Sequence, residues 1–319
     1  MSKKRNKINY NKWGYYFVAP FIIVYLVFSL IPLLSTFYYS FFEYYYAQGG
    51  FIKIGPNFIG FENYVTLFSQ GVFIKYLGNT IVLWLMGFIP QVIVSLLMAL
   101  WFTSFRLKLK GTAFFKTVMY LPNLVMAAAF SMLFVQLFSN TGGLTTLLIE
   151  LNIIPETFSF VDNVWPTRAL IALMNFLMWF GNTTILLMAG IMGIDDSLIE
   201  SASVDGANSR QVFTKITLPL LKPILLFVLV TSLVGGIQMF DIPFVFTRGT
   251  GGPQGSSQTV MMYISGLLRT SKQYDMAGTA SVILFILTTI ISLLFFFIMN
   301  KDEIKEYREE KRIRKEMKR

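Results

Sequence analysis

Long stretches without a charged side chain, separated by shorter polar segments, dominate this chain. Six such runs reach the ~18–20 residues that a helix needs to cross the hydrocarbon of a bilayer. With their ends included, the predicted spans lie at about residues 15–42, 76–104, 117–139, 169–193, 220–245 and 276–300. The third run stays free of charge as far as Ile149, but Thr141-Gly142-Gly143 marks an end near Ser139. A seventh charge-free run, Gly249 to Leu268, opens with Gly, Ser, Gln and Pro and is expected to be a loop ending in a short external helix. Pro20, Pro32, Pro90 and Pro122 fall within or near the spans, where packed neighbours can satisfy the carbonyl that a proline leaves unbonded. The pattern predicts an all-α integral membrane protein, one domain over residues 1–319 with six transmembrane helices.

Composition agrees. Only 14% of the residues are charged against 55% hydrophobic, whereas a soluble domain carries roughly 25% charged residues. The net charge of +10 would suit nucleic acid, but its placement argues against that partner. Lys3, Lys4, Arg5, Lys7 and Lys12 precede the first apolar run, and nine Lys or Arg follow Asn300. Basic ends flanking apolar spans are topology signals and contacts to acidic lipid headgroups. The connection after the second span adds Arg106, Lys108, Lys110 and Lys116, while the segments after spans one and three carry Glu43, Glu62, Glu150, Glu156 and Asp162. Positive residues gather on the cytoplasmic face, so both termini are expected inside. The basic start followed by an apolar stretch has the outline of a signal peptide. The stretch is too long and lacks a small-residue cleavage site, so an uncleaved first helix is expected. The tail from Lys301 alternates acids and bases, with Glu310 four residues before Arg314, as in a solvated helix.

The chain has no Cys and no His. Disulfides, thiol nucleophiles, the usual zinc sites and histidine acid–base chemistry are thereby excluded. No Gly-Lys dipeptide occurs, so the phosphate-cradling loop of ATPases is absent. The chain is not expected to be an enzyme or to hold a cofactor. Any ATP and Mg would be bound by a separate ATPase.

The span interiors hold no Lys, Arg, Asp or Glu, and Asp241 falls at an outer end. An intramembrane charge is the usual mark of ion coupling or charged cargo. Its absence weakens the alternative of a secondary, ion-coupled carrier or channel and favours a neutral, hydroxyl-rich cargo. Such a cargo would use amides, hydroxyls and aromatic faces. The candidates are Asn123, Asn175, Trp179, Asn182, Ser232 and Gln238. Asn175 and Trp179 share one helical face, and Ser232 and Gln238 flank Gly235-Gly236. Interhelical hydrogen bonding is an equally good use for these side chains, and the sequence leaves both open.

Between spans four and five, residues 195–219 carry Glu200, Ser201, Ala202, Asp205, Gly206, Ala207, Ile216, Leu218 and Pro219. This resembles the signature of permease subunits of binding-protein-dependent ABC importers: Glu-Ala-Ala, Asp-Gly-Ala and a later Ile-x-Leu-Pro at fixed spacing. Ser201 replaces the first Ala of the triplet, small for small. Gly142-Gly143-Leu144, Phe240-Asp241, Gly251-Gly252-Pro253 and Ala277-Gly278-Thr279-Ala280 extend the likeness, which is closest to the carbohydrate branch, the maltose, lactose and glycerol-phosphate type.

The resemblance implies a cytoplasmic coupling helix between spans four and five that docks into the ATPase. Glu200, Ala202, Asp205, Gly206, Ala207, Leu218 and Pro219 would form the coupling element. It also implies a second homologous permease, two ATPase subunits, an extracytoplasmic solute-binding protein and alternating access for a sugar, with a cargo path lined from spans three, four and five.

Overall fold

The computed structural model of the chain describes residues 11–104 and 110–317. The basic residues Lys3, Lys4, Arg5, Lys7, Arg106 and Lys108 lie outside the described residues. In chain order the elements begin with α1 (Asn11–Tyr25), a π-helical turn (Leu26–Leu30) and α2 (Ile31–Tyr39). Strands β1 (Phe42–Ala47) and β2 (Ile52–Phe58) follow, then α3 (Glu62–Ser69), α4 (Val72–Thr103), α5 (Thr112–Leu124), α6 (Ala127–Phe138) and α7 (Gly143–Glu150). Next come α8 (Val164–Met192), α9 (Asp196–Val204), α10 (Ser209–Val212), α11 (Leu218–Leu220) and α12 (Lys222–Ile237). The chain closes with α13 (Asp241–Phe246), α14 (Val260–Gly266), α15 (Tyr274–Met299) and α16 (Lys301–Glu316).

Among the described residues, six stretches are long and apolar enough to cross a membrane: Lys12–Tyr39, Val72–Thr103, Ala127–Glu150, Val164–Met192, Lys222–Phe246 and Tyr274–Met299. The count matches the charge-free runs, but two features differ from expectation. The run expected to cross as one helix over 117–139 is divided, because Val125 (ψ 138°) and Met126 (ψ 133°) are extended between α5 and α6. Pro122 has no N–H to give to the preceding turn, and the Val125 N–H turns back to the Pro122 carbonyl, which closes α5. The helices also outrun the charge-free segments, so Lys75, Arg168 and Asp275 fall in the terminal turns of α4, α8 and α15.

The chain forms two compact units, residues up to 70 with 264–283, and 71–263 with the residues from 284 onward. The first unit corrects the all-α expectation, since it contains an antiparallel β-hairpin that pairs Phe42 with Phe58 and Ala47 with Ile52. Tyr44 to Tyr46 and Ile52 to Ile54 supply aromatic and β-branched residues that suit a pleated surface. Gln48, Gly49 and Gly50 turn the chain with positive φ. Within this unit Asp275 accepts hydrogen bonds from the Tyr44 and Met276 N–H groups at 3.1 and 2.7 Å, and the Tyr44 ring stacks on Tyr274 at 5.3 Å.

In the second unit α8 is the central helix, with α4, α5 and α12 packed against it. Leu83, Phe134, Ile171, Met174, Met178, Met239 and Phe246 form its main apolar cluster. Apolar burial discriminates poorly between helices in lipid, so small residues and hydrogen bonds must specify the contacts. Ser95 of α4 donates to the Phe180 carbonyl (2.8 Å), Gln91 to Thr183 Oγ1 (2.7 Å), and Ser131 of α6 to the Ile242 carbonyl (3.1 Å). At Gly87 a Cβ would stand 3.1 Å from the Ala172 carbonyl oxygen, so α4 and α8 approach closely there.

Candidate functional site

A cavity of about 290 Å³ opens among α4, α8 and α12, all within the second unit. Each helix contributes one face. From α4 come Trp84, Gly87, Phe88 and Gln91, from α8 Asn175, Trp179, Asn182, Thr183 and Leu186, and from α12 Phe227, Thr231, Ser232, Gly235 and Gly236. These spacings of three and four are those of side chains stacked along one side of a helix. Among the lining residues none is ionisable.

The wall is partly knitted by its own bonds. The indole N–H of Trp84 donates to Ser232 Oγ at 3.1 Å, and its ring stacks on Phe88 at 5.2 Å. Gly236 makes room for that indole, because a Cβ there would stand 2.1 Å from Trp84 Cδ1. Asn175 Nδ2 donates to the Ile171 carbonyl (3.0 Å) and to Met239 Sδ (3.4 Å), which leaves its oxygen open. The side-chain amide of Asn182 and the indole N–H of Trp179 also line the cavity, and neither makes a hydrogen bond among the described residues. Amides not spent on helix contacts, beside flat aromatic faces, can replace the water around hydroxyls and stack on apolar ring faces.

Of the six residues expected along the path, Asn175, Trp179, Asn182 and Ser232 are brought together here. The other two lie elsewhere. Asn123 of α5 donates to the Met178 carbonyl at 3.0 Å, a bond between helices. Gln238 caps α12 in an exposed turn. The α4 face was missed from sequence. Its available signal was Gln91, a polar residue inside a charge-free run, set one turn from Phe88 and two from Trp84.

Residues 195–219 form a second, wholly different arrangement. The Asp195 carboxylate accepts the Ser197 N–H at 2.9 Å and so caps α9. That hydrogen bond to the charged form holds its pKa below the ordinary aspartate value. At the other end the Ala207 N–H bonds to the Ala202 carbonyl and the Gly206 N–H to the Ser203 carbonyl. This paired closure needs a left-handed residue, and Gly206 supplies it with φ +78°. Asn208 and Gln211 then exchange bonds at 2.9 and 2.8 Å to start α10. The helix is exposed along Glu200, Asp205 and Gly206, with Ala202 and Ala207 half-buried. Val204 is 87% exposed. Further along, Leu218 is half-buried and Pro219, in the first turn of α11, is exposed.

A third set was also missed. Arg168 Nη2 donates to Asn79 Oδ1 and to the Ser256 carbonyl, both at 2.8 Å. Asn79 donates to the Gly255 and Gln258 carbonyls, and Lys75 to that of Gln254. These polar residues near the helix ends clamp the loop at 254–258, a role that no local pattern announces. On the segment before α8, Asp162 is held below the ordinary aspartate pKa by hydrogen bonds from Ser159 and Asn140.

Residues 91–301 match the profile of a family described as binding-protein-dependent transport system inner membrane component. The lactose transport system permease protein LacF of Rhizobium radiobacter is 33% identical over 299 residues, 93% of this chain and 97% of its own. The multiple sugar-binding transport system permease protein MsmF of Streptococcus mutans is 29% identical, over 92% of this chain and 97% of its own. Among solved structures, a chain of a bacterial alginate ABC transporter, in complex with an alginate pentasaccharide-bound periplasmic protein, superimposes with a TM-score of 0.70 at 23% identity. The match covers 89% of this chain and 93% of that one. At that identity the likeness speaks for the fold alone.

Proposed function

The chain belongs to the family of binding-protein-dependent transport system inner membrane components, and from that premise we propose that it is one of two permease subunits of an ATP-driven sugar importer. The observation that carries the sugar reading is the cavity, where Trp179 and the amides of Asn175 and Asn182 meet with no ionisable residue in the lining. The names of relatives that act on lactose and on multiple sugars support it. A secondary, ion-coupled carrier would want an ionisable group facing the path, and the lining offers none.

The basic N-terminal tail and second connection favour both termini in the cytoplasm, which puts α9 on the same side. There α9 would be the coupling helix, with Glu200, Ala202, Asp205, Gly206 and Ala207 meeting an ATPase and Leu218 and Pro219 leading the motion into α12. ATP and Mg belong to two ATPase subunits, so this chain performs no chemistry. A solute-binding protein outside would deliver the sugar, and closure of the ATPases would turn the cavity from one side to the other.

Gentle purification from the native membrane, with mass spectrometry of what is retained, tests the assembly. The expected result is an ATPase and a second six-span subunit. A chain that emerges alone, with no ATPase cross-linked at position 200, would sink the importer reading. For the cavity, Asn182→Ala and Asn175→Ala should each lower sugar uptake about fivefold, the worth of one hydrogen bond of roughly 1 kcal/mol. Basal ATPase activity should stay unchanged. Uptake at the wild-type rate in both variants would reduce these amides to packing.

A further inference from the structure

Helix α3 divides into three stripes. Asn63 and Leu67 are buried, at 6% and 1% exposure, Glu62, Thr66 and Ser69 form an exposed polar stripe, and Phe61 and Val65 are apolar yet 70% and 67% exposed. Phe68, one turn on, continues the apolar stripe at 45% exposure. A stripe of this kind on a water-bathed helix would be costly, so its surroundings need an identity.

Within the first unit, α3 is bound to the end of the first membrane-spanning stretch. The Asn63 amide donates to the carbonyls of Ser40 and Phe42 at 3.1 and 2.9 Å, and Tyr64 Oη and Ser40 Oγ lie 2.7 Å apart. The N–H groups of Ile59 and Gly60 both donate to the Phe41 carbonyl, and the rings of Phe41 and Phe61 meet edge to face at 5.3 Å. The span itself is bordered by aromatic residues, Trp13, Tyr15 and Tyr16 at one end and Tyr38 and Tyr39 at the other. Such belts mark the two headgroup levels of a bilayer. Helix α3 is therefore held at the level of the second belt.

We propose that α3 is an interfacial helix, with the Phe61–Val65 stripe bedded in the lipid leaflet beside the end of the first span and the Glu62–Thr66 stripe facing water. The occupant of the apolar stripe is lipid, because Phe61 packs on Phe41 at the end of a membrane-spanning stretch whose own apolar residues are exposed. A short amphipathic helix lying in the interface has the same division of faces. It would fix the depth and tilt of the first span and limit how far that span can slide through the bilayer.

The absence of native cysteine makes the test direct. Phe61→Cys, Glu62→Cys, Val65→Cys and Thr66→Cys are spin-labelled singly in the full chain, in the complex in which it purifies, and reconstituted in phosphatidylcholine vesicles. Labels at 61 and 65 should collide more with oxygen than with a water-soluble nickel chelate, and labels at 62 and 66 should show the reverse. Chelate preference at all four positions would put the stripe in water and overturn the proposal. Weak collision with both reagents at 61 and 65 would mean that a protein surface covers it, with the same consequence. Oxygen preference at all four would overturn the interfacial placement. If Phe61→Cys fails to insert, Phe61→Trp keeps a ring in place. Brominated lipid should then quench a larger fluorescence than in the wild type, and an unchanged quenched fraction counts against the proposal.

Discussion

Gly181→Val is expected to prevent accumulation of folded protein. A Cβ at this position would stand 2.0 Å from the Met119 carbonyl oxygen and 2.5 Å from its carbon. Both are backbone atoms, so no rotamer change relieves the clash and α5 must move off α8. Overpacking that side chains can absorb costs about 1–3 kcal/mol, and backbone displacement raises this further. The bond from Asn123 to the Met178 carbonyl lies at the same contact and would be lost with it, at roughly 1 kcal/mol more. Thermal unfolding followed by size exclusion in detergent reads the effect. The valine variant should show little monodisperse protein, with Gly181→Ala between it and the wild type. A valine variant that melts with the wild type would mean that α5 does not approach α8 at Gly181.

The second large effect should fall on transport with the fold left intact. Gly206 has φ +78°, which proline cannot adopt. Gly206→Pro also removes the N–H that closes α9 onto the Ser203 carbonyl. The segment is exposed, so insertion of the spans should survive while the end of α9 is remodelled. Uptake should fall at least about tenfold, the effect of roughly 1.4 kcal/mol lost from a coupling contact. Glu200→Ala is the cleaner partner experiment. Glu200 is exposed and its carboxylate makes no hydrogen bond or ion pair among the described residues, so its removal should leave melting unchanged. Loss of uptake and of transport-stimulated ATP hydrolysis in that variant would assign its role to a contact with another subunit. Normal uptake in both variants would remove α9 from the coupling pathway.

Membrane spans are legible in a sequence because lipid imposes a one-dimensional rule. About twenty residues in a row must avoid charge, whatever they later pack against. Six spans followed from that rule, while the contiguous motif from Glu200 to Pro219 pointed to the family that residues 91–301 match. The same rule hides what happens inside a charge-free run. It does not register the extended pair at Val125 and Met126, nor the terminal turns in which Lys75 and Arg168 spend their charge on loop carbonyls. The hairpin at 42–58 was also readable in principle, from its aromatic alternation and the Gln48-Gly49-Gly50 turn. It is hidden because the apolar, aromatic run of the first span continues through Phe41 and Phe42 into the first strand, so composition does not change where the helix ends.

The cavity divides in the same way. Polar side chains in an apolar run are visible one at a time, which is why Asn123, Asn175, Asn182 and Ser232 all stood out. Whether such a group spends its hydrogen bonds on a neighbouring helix, as Asn123 does, or keeps them for a cavity, as Asn182 does, depends on which helix lies opposite. That choice involves residues more than eighty positions apart in the chain, Trp84 and Gln91 against Asn175 and Asn182. By itself the sequence determined the solvent, the number of crossings and the family, because each depends on local composition or a contiguous motif. Only the tertiary structure decided which faces meet, because helix contacts in lipid turn on single small residues and single hydrogen bonds.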